Sequence, residues 1–292
     1  MISRVDKMFL GLLVIVVLSS GWWHLYQQPS ALDNALKEAE QAFSEVSEDT
    51  DLKAAIDKQL SDIPDFGSML DVREKKASFF AFMKTMIDEE NQQLGVIRQK
   101  LLSYKDKNTL NDSEQQWVDS LVRRYKVDES KNGLDDIFDE LLLKIDEIPV
   151  SLALVQAANE SAWGTSRFAL DANNFFGQWC FSEGCGLVPE RRPEGARYEV
   201  RKFDSPAHSV RSYMHNLNSS HHYEGMREMR MKRREAGLPV TGPVLAHGLY
   251  AYSIRGVEYV DELVQMIRGN DLLRYDLEGE AIAPDDGVIQ SQ

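Results

Sequence analysis

The chain has 292 residues, 43% of them hydrophobic, and a formal net charge of -14 at pH 7. That is enough apolar material for one substantial domain plus an accessory one, and it excludes a disordered chain. Ten acids face three lysines between Asp33 and Asp65, and no long basic arm or aromatic-interleaved basic stripe occurs, which argues against a nucleic-acid partner.

Residues 8–26, MFLGLLVIVVLSSGWWHLY, follow Arg4 and Lys7 and end in a Trp-Trp-His-Leu-Tyr belt, close to the ~20 residues that cross a bilayer. This reads as an export signal retained as a single transmembrane anchor within residues 1–30. Bulky Trp22 and Trp23 leave small-residue cleavage options only near Ser30; cleavage there, giving a soluble exported protein, is the alternative. Beyond such a signal, Cys180 and Cys185 are expected to form a local disulfide. Two thiols alone do not make a metal site, and the six histidines lack ligand spacing, so no metal and no cofactor is expected.

The acidic, sparsely apolar stretch from Ala31 to about Gln59 reads as a stalk. Between Met69 and Leu102, Phe79, Phe80, Phe82, Met83, Met86, Ile87, Leu94, Ile97 and Leu101 recur near helical spacing, predicting a long amphipathic helix. Asn111-Asp112-Ser113 offers N-cap chemistry for a second helix bearing Trp117, Val118, Leu121, Val122 and Tyr125, and a third is predicted from about Leu134 to Ile145. Residues 31–135 are therefore assigned to a helical stalk and accessory region.

In IPVSLALVQAANESAWG, Pro149 suits a first helical turn and the run from Leu152 to Ala158 is almost wholly apolar, predicting a buried central helix with Glu160 at its end. Thr165 or Ser166 can cap a short helix after it. Gly186–Asp204 reads as a β-hairpin flap, with a turn at Pro193-Glu194-Gly195 and alternation of Tyr198, Val200 and Lys202. Val210, Tyr213, Met214 and Leu217 then share a helix face, and a final helix from about Glu258 to Arg268 precedes an acidic tail, 276–292, expected to be disordered.

A carboxyl at the C-terminal end of a buried helix meets the negative end of the dipole and poor solvation, and both favour its neutral form. Glycoside hydrolysis needs such a proton donor and a second group to stabilise the oxocarbenium-like centre or activate water. Trp163, Phe175, Phe176 and Trp179 lie close in sequence and can stack on sugar faces. On spacing alone, a structural glutamate bonded to backbone amides fits equally well.

LALVQAANESAWGTSRFALDANNFFGQW resembles the signature of the bacterial N-acetylglucosaminidases of glycoside hydrolase family 73, roughly Ala-x-x-Glu-Ser-x-Trp-Gly-x-Ser followed by Asn-Asn-x-Phe-Gly. Glu160, Ser161, Trp163, Gly164, Ser166, Asn173, Asn174, Phe176 and Gly177 fill those positions. From about residue 70 to 272, with KKASFFAFM, the Cys-x4-Cys loop, GLVPERRPEG and KFDSPAHSVRSYMHNLN, the chain is similar to the Bax branch of that family in Gram-negative bacteria.

The resemblance implies a mainly α, α+β lysozyme-like fold: a helical catalytic domain over 136–275 with a short β-hairpin flap, preceded by a helical region and the transmembrane helix. It implies an endo-β-N-acetylglucosaminidase acting on peptidoglycan glycan strands from the periplasmic face of the inner membrane, with Glu160 as general acid and Trp163, Asn174, Phe176 and Trp179 as substrate-binding residues. The family's second acid lies on the flap; Glu190 is the first choice, Glu194 and Glu199 the runners-up. A Tyr-Ala-Thr-Asp-Pro-x-Tyr-like motif finds its counterpart in YSIRGVEYV, making Tyr252, then Tyr259, the catalytic tyrosine. Direct displacement would place the two carboxyls about 5 Å apart and inversion about 6.5 to 9.5 Å, while assistance by the substrate acetamido group needs no close second acid. The basic run REMRMKRR, Arg227 to Arg234, is either a solvated helix face or a contact for peptide-stem carboxylates. A non-catalytic wall-binding protein and a lytic transglycosylase are the alternatives.

Overall fold

The first long helix starts where Asp71 accepts hydrogen bonds from the Arg73 and Glu74 amides, and this α1, Val72–Lys105, turns Phe79, Phe80, Met83, Met86, Ile87, Leu94 and Leu101 inward. The computed structural model describes residues 63–107, 109–128, 133–190 and 192–277. The predicted membrane segment and stalk, and the tail beyond Leu277, lie outside the described residues. Among those described, no helix is long and apolar enough to cross a membrane.

Asn111 begins α2, Asp112–Tyr125, with a complete capping box: its side chain accepts from the Glu114 amide and the Glu114 carboxylate accepts from the Asn111 amide. Helix α3, Leu134–Lys144, follows. Next comes α4, Val150–Glu160, in which every residue from Ser151 to Ala158 is buried, as an element apolar on all sides must be. It is packed by α1 and, from the C-terminal half, by α8, Gly242–Ala246, α9, Val257–Gly269, and α10, Arg274–Leu277. A single core running from Phe66 to Leu272 encloses it.

The start of α4 is sealed by a residue from the predicted tail. Asp276 Oδ1 accepts from the Ser151 amide at 2.9 Å, and Oδ2 accepts from Ser151 Oγ at 2.5 Å and from the Gly242 amide at 2.8 Å. A carboxylate there complements the positive end of the helix dipole. The tail boundary at 276 is therefore corrected: Asp276 belongs to the folded body.

Ser166 caps α5, Arg167–Ala172, accepting from the Ala169 amide. The flap is a three-stranded antiparallel sheet of order β1-β3-β2, with β1 at Trp179–Cys180, β2 at Gly186–Leu187 and β3 at Glu199–Arg201; Cys180 pairs with Glu199, and both Trp179 and Leu187 oppose Val200. The β2–β3 hairpin matches the expected one, with its turn closed by the Ala196 amide donating to Pro193 O. Strand β1 was not foreseen, because two residues carry no periodicity to read.

Helix α6, Pro206–Ser219, and α7, Glu224–Glu235, close the far side. There the basic run is divided: Lys232 is solvated, as a helix face would be, while others of its cations turn inward. Arg227 and Arg230 are buried: Arg227 donates to the carbonyls of Leu217 and Ser220, and Arg230 to those of Leu143, Lys144, Asp146 and Glu147 and to Asn218 Oδ1. Arg234 grips Asp146 through Nε at 2.6 Å and Nη2 at 2.7 Å.

Candidate active site

Glu160 ends α4, and the chain leaves it through three consecutive left-handed residues, Ala162, Trp163 and Gly164, with φ of 50°, 60° and 75°. For non-glycine residues this conformation costs about 1–3 kcal/mol each and persists only where packing imposes it. Ser161 braces the turn, its Oγ donating to Ala157 O at 2.6 Å and accepting from the Gly164 amide at 2.8 Å. Aromatic packing supplies the rest. Trp163 meets Phe79 and Phe80 edge-on at 5.7 and 5.2 Å, with Lys76 Nζ 4.8 Å from its ring, and a Cβ on Gly164 would fall 2.5 Å from the Phe66 ring.

A second turn approaches from α5. Asn173 ends that helix at φ 52°, a conformation asparagine tolerates, and donates to Phe203 O. Asn174 donates to Gln178 O and Arg201 O and accepts from the Phe176 and Gln178 amides, tying the loop to the flap. Phe176 stacks on Tyr213 at 3.9 Å and 8°. Gly177, at φ 63°, lies so near the acid that a Cβ would sit 3.2 Å from Glu160 Oε2. Gly177→Ala is expected to lose roughly tenfold in turnover by displacing the carboxyl and about 1–2 kcal/mol through the strained φ. Turnover within twofold of wild type, measured on folded protein, would refute that placement.

Around Glu160 stand three tyrosines from the C-terminal half. Tyr259 donates to Glu160 Oε1 at 3.0 Å and accepts from Gln156 Nε2 at 3.0 Å, while Gln156 Oε1 accepts from Tyr213 at 2.6 Å. Tyr252 stacks on Tyr259 at 5.7 Å and 3° and donates to Phe176 O at 2.9 Å. Burial raises the Glu160 pKa; the Tyr259 hydrogen bond opposes this, Glu262 adds to it and Arg255 subtracts from it. Burial also drives the three phenols above their ordinary value, so they act as neutral hydrogen-bonding groups.

Several of the expected site residues therefore take other duties. Tyr259, not Tyr252, touches the acid. Asn174 and Phe176 are each only 1% exposed, so their side chains are closed to a glycan and build the loop beneath the acid. Trp163 faces α1. Trp179 is 48% exposed, edge-on to Tyr198 at 4.3 Å, and stays open to a ligand.

On the flap, Cys180 and Cys185 form the expected disulfide. Glu199 accepts from the Gly184 and Gly186 amides at 3.1 and 2.8 Å, which hold its carboxyl below the usual range; it serves the disulfide loop and has no contact with Glu160. Its carboxylate and the two sulfurs lie within 4.8 Å of one another, but sulfurs bonded to each other are not metal ligands. Glu190 and Glu194 are exposed on the β2–β3 connection, and the charges that act on Glu160 are Glu262 and Arg255.

The family described as mannosyl-glycoprotein endo-beta-N-acetylglucosaminidase, or glucosaminidase, matches residues 136–272. Protein bax of Escherichia coli (strain K12) is 30% identical over 213 residues, covering 73% of this chain and 76% of its own length. The chain is a Bax-like member of the glucosaminidase family. No solved structure matches it. Glucosaminidase membership makes it a glycoside hydrolase-type protein and sets Glu160 within the matched segment, which omits α1 although α1 packs on α4. Two residues of the cluster around Glu160 escaped the sequence reading. Gln156 had a signal, a lone long polar side chain one helical turn before Glu160 in an apolar run; Tyr213 had none, being indistinguishable from its core neighbours.

Proposed function

We propose that the chain is a peptidoglycan hydrolase, an endo-β-N-acetylglucosaminidase cutting β-1,4 bonds of the glycan with Glu160 as general acid, held at the inner membrane by residues 8–26 with its active site in the periplasm. The observation that carries this reading is the state of Glu160. Its carboxyl is pushed toward the neutral form by burial, Oε1 is engaged by Tyr259, and Oε2 accepts no hydrogen bond among the described residues. A neutral acid with one oxygen unoccupied is suited to protonating a leaving glycosidic oxygen. Trp179 is an exposed aromatic surface available to a sugar. Since Glu199 is bound to backbone amides, the second role falls to Glu190 or Glu194 as a base on water, or to the substrate's acetamido oxygen as an internal nucleophile.

One acid without a fixed partner also suits a lytic transglycosylase. Digestion of purified sacculi with the full chain, followed by mass spectrometry of the fragments, separates the two. GlcNAc at new reducing ends is expected; anhydro-MurNAc ends would replace the hydrolase by a transglycosylase, and no release of fragments would leave a wall-binding protein.

A further inference from the structure

Gln156 is fully buried in α4, and its amide is held at both ends. A phenol has one hydrogen to give. That of Tyr213, itself at 0% exposure, goes to Gln156 Oε1, which turns the amide nitrogen toward Tyr259. With Nε2–H occupying a lone pair of Tyr259, the Tyr259 hydrogen is directed to Glu160 Oε1. Turning the amide over would withdraw the acceptor from the buried Tyr213 hydroxyl, a costly arrangement, and would make Tyr259 donate to Gln156, leaving Glu160 to meet Tyr259 only as a donor.

We propose that Gln156 is a positioning residue: through the one-way chain Tyr213–Gln156–Tyr259 it holds Glu160 Oε1 as an acceptor and thereby assigns the transferable proton to Oε2, the oxygen beside Gly177. This rests on Glu160 being the general acid. The remaining groups bearing on Glu160 are the stacked Tyr252 and the charges of Glu262 and Arg255, and none of them fixes which oxygen carries the proton. Gly177 leaves Oε2 uncovered, so the chain and the glycine work on opposite sides of one carboxyl.

The test is the pH dependence of reducing-end release from sacculi by the full chain, comparing wild type, Glu160→Gln, Tyr213→Phe and Gln156→Glu. Removing the Tyr213 hydroxyl frees the amide to turn. Gln156→Glu replaces the fixed N–H by a carboxyl coupled to Glu160: whenever the proton of the pair sits on Glu160, the new carboxylate accepts from both tyrosines and sets a like charge near it. Each change raises the Glu160 pKa, so the alkaline limb is expected to move up, by about one pH unit in Gln156→Glu. Turnover should fall about tenfold with KM within twofold of wild type. If Gln156→Glu does not fold, Tyr213→Phe decides alone, since it removes only an oxygen. Wild-type limb and turnover in the folded variants, with Glu160→Gln inactive, overturn the positioning role and spare the general-acid reading. Activity in Glu160→Gln overturns both.

Discussion

Glu160→Gln is expected to lower reducing-end release from sacculi by about 10²–10⁴-fold, the usual contribution of a positioned general acid, with sacculus binding and thermal unfolding close to wild type. The amide keeps an oxygen for the Tyr259 hydrogen bond and fills the same volume beside Gly177, so the fold has no reason to change. What disappears is the transferable proton. In the wild type the reaction needs the protonated carboxyl, and burial raises its pKa, so activity should persist above the ordinary carboxylate range and fall as the pH rises through the raised value. The same shift has a sign for stability. Between the unfolded and folded pKa the native state holds more protons than the unfolded chain, so the Glu160 contribution to stability declines with rising pH across that window; the variant should lose both the rate limb and this slope. Loss of less than tenfold would remove Glu160 from the chemistry.

Asp146→Ala is expected to destabilise the protein by about 3–5 kcal/mol, the cost of leaving buried cations without their counter-charge. Its side chain is 3% exposed and collects Arg234 at 2.6 Å, Arg98 at 3.6 Å and Arg230 at 3.7 Å. Arg230 is pulled down to about 10 by burial, so it remains charged at neutral pH and cannot escape by losing its proton. Urea unfolding followed by circular dichroism measures the effect. A change under about 1 kcal/mol would show that the surrounding carbonyls alone satisfy the three guanidinium groups.

What was legible in the sequence was local. The N-cap at Asn111-Asp112-Ser113, the apolar run that buries α4, a cap at Thr165 or Ser166 and the Pro193–Gly195 turn are fixed by residues a few positions apart, and each appears where the pattern put it, with Asn111 and Ser166 as the capping residues. Glu160 could be singled out because an acid ending a greasy helix is conspicuous. Its partners could not. Tyr259 lies 99 residues away, and the Gln156 contacts to Tyr213 and Tyr259 span 57 and 103 residues, distances over which only tertiary packing decides who meets whom. The signature has two readings for a related reason: aromatic and amide side chains suit sugars and also suit tight turns, and in this structure Trp163, Asn174 and Phe176 pack the turns.

The left-handed turn after Glu160 is kept in shape by Phe66, Phe79 and Phe80, all lying upstream of residues 136–272, the segment that matches the glucosaminidase family. The segment shared with the glucosaminidase family at large is thus shorter than the folded unit, whereas the likeness to protein bax extends upstream of it. A polypeptide trimmed to residues 136–272 would retain the whole signature yet lose the wall against which Trp163 rests, and with it the Asp276 seal at the opposite end of α4. The helix bearing the acid would then be loose at both ends. Transplanting this site into another scaffold would mean carrying along residues 66–135 and 273–276 as well, which the glucosaminidase segment leaves out.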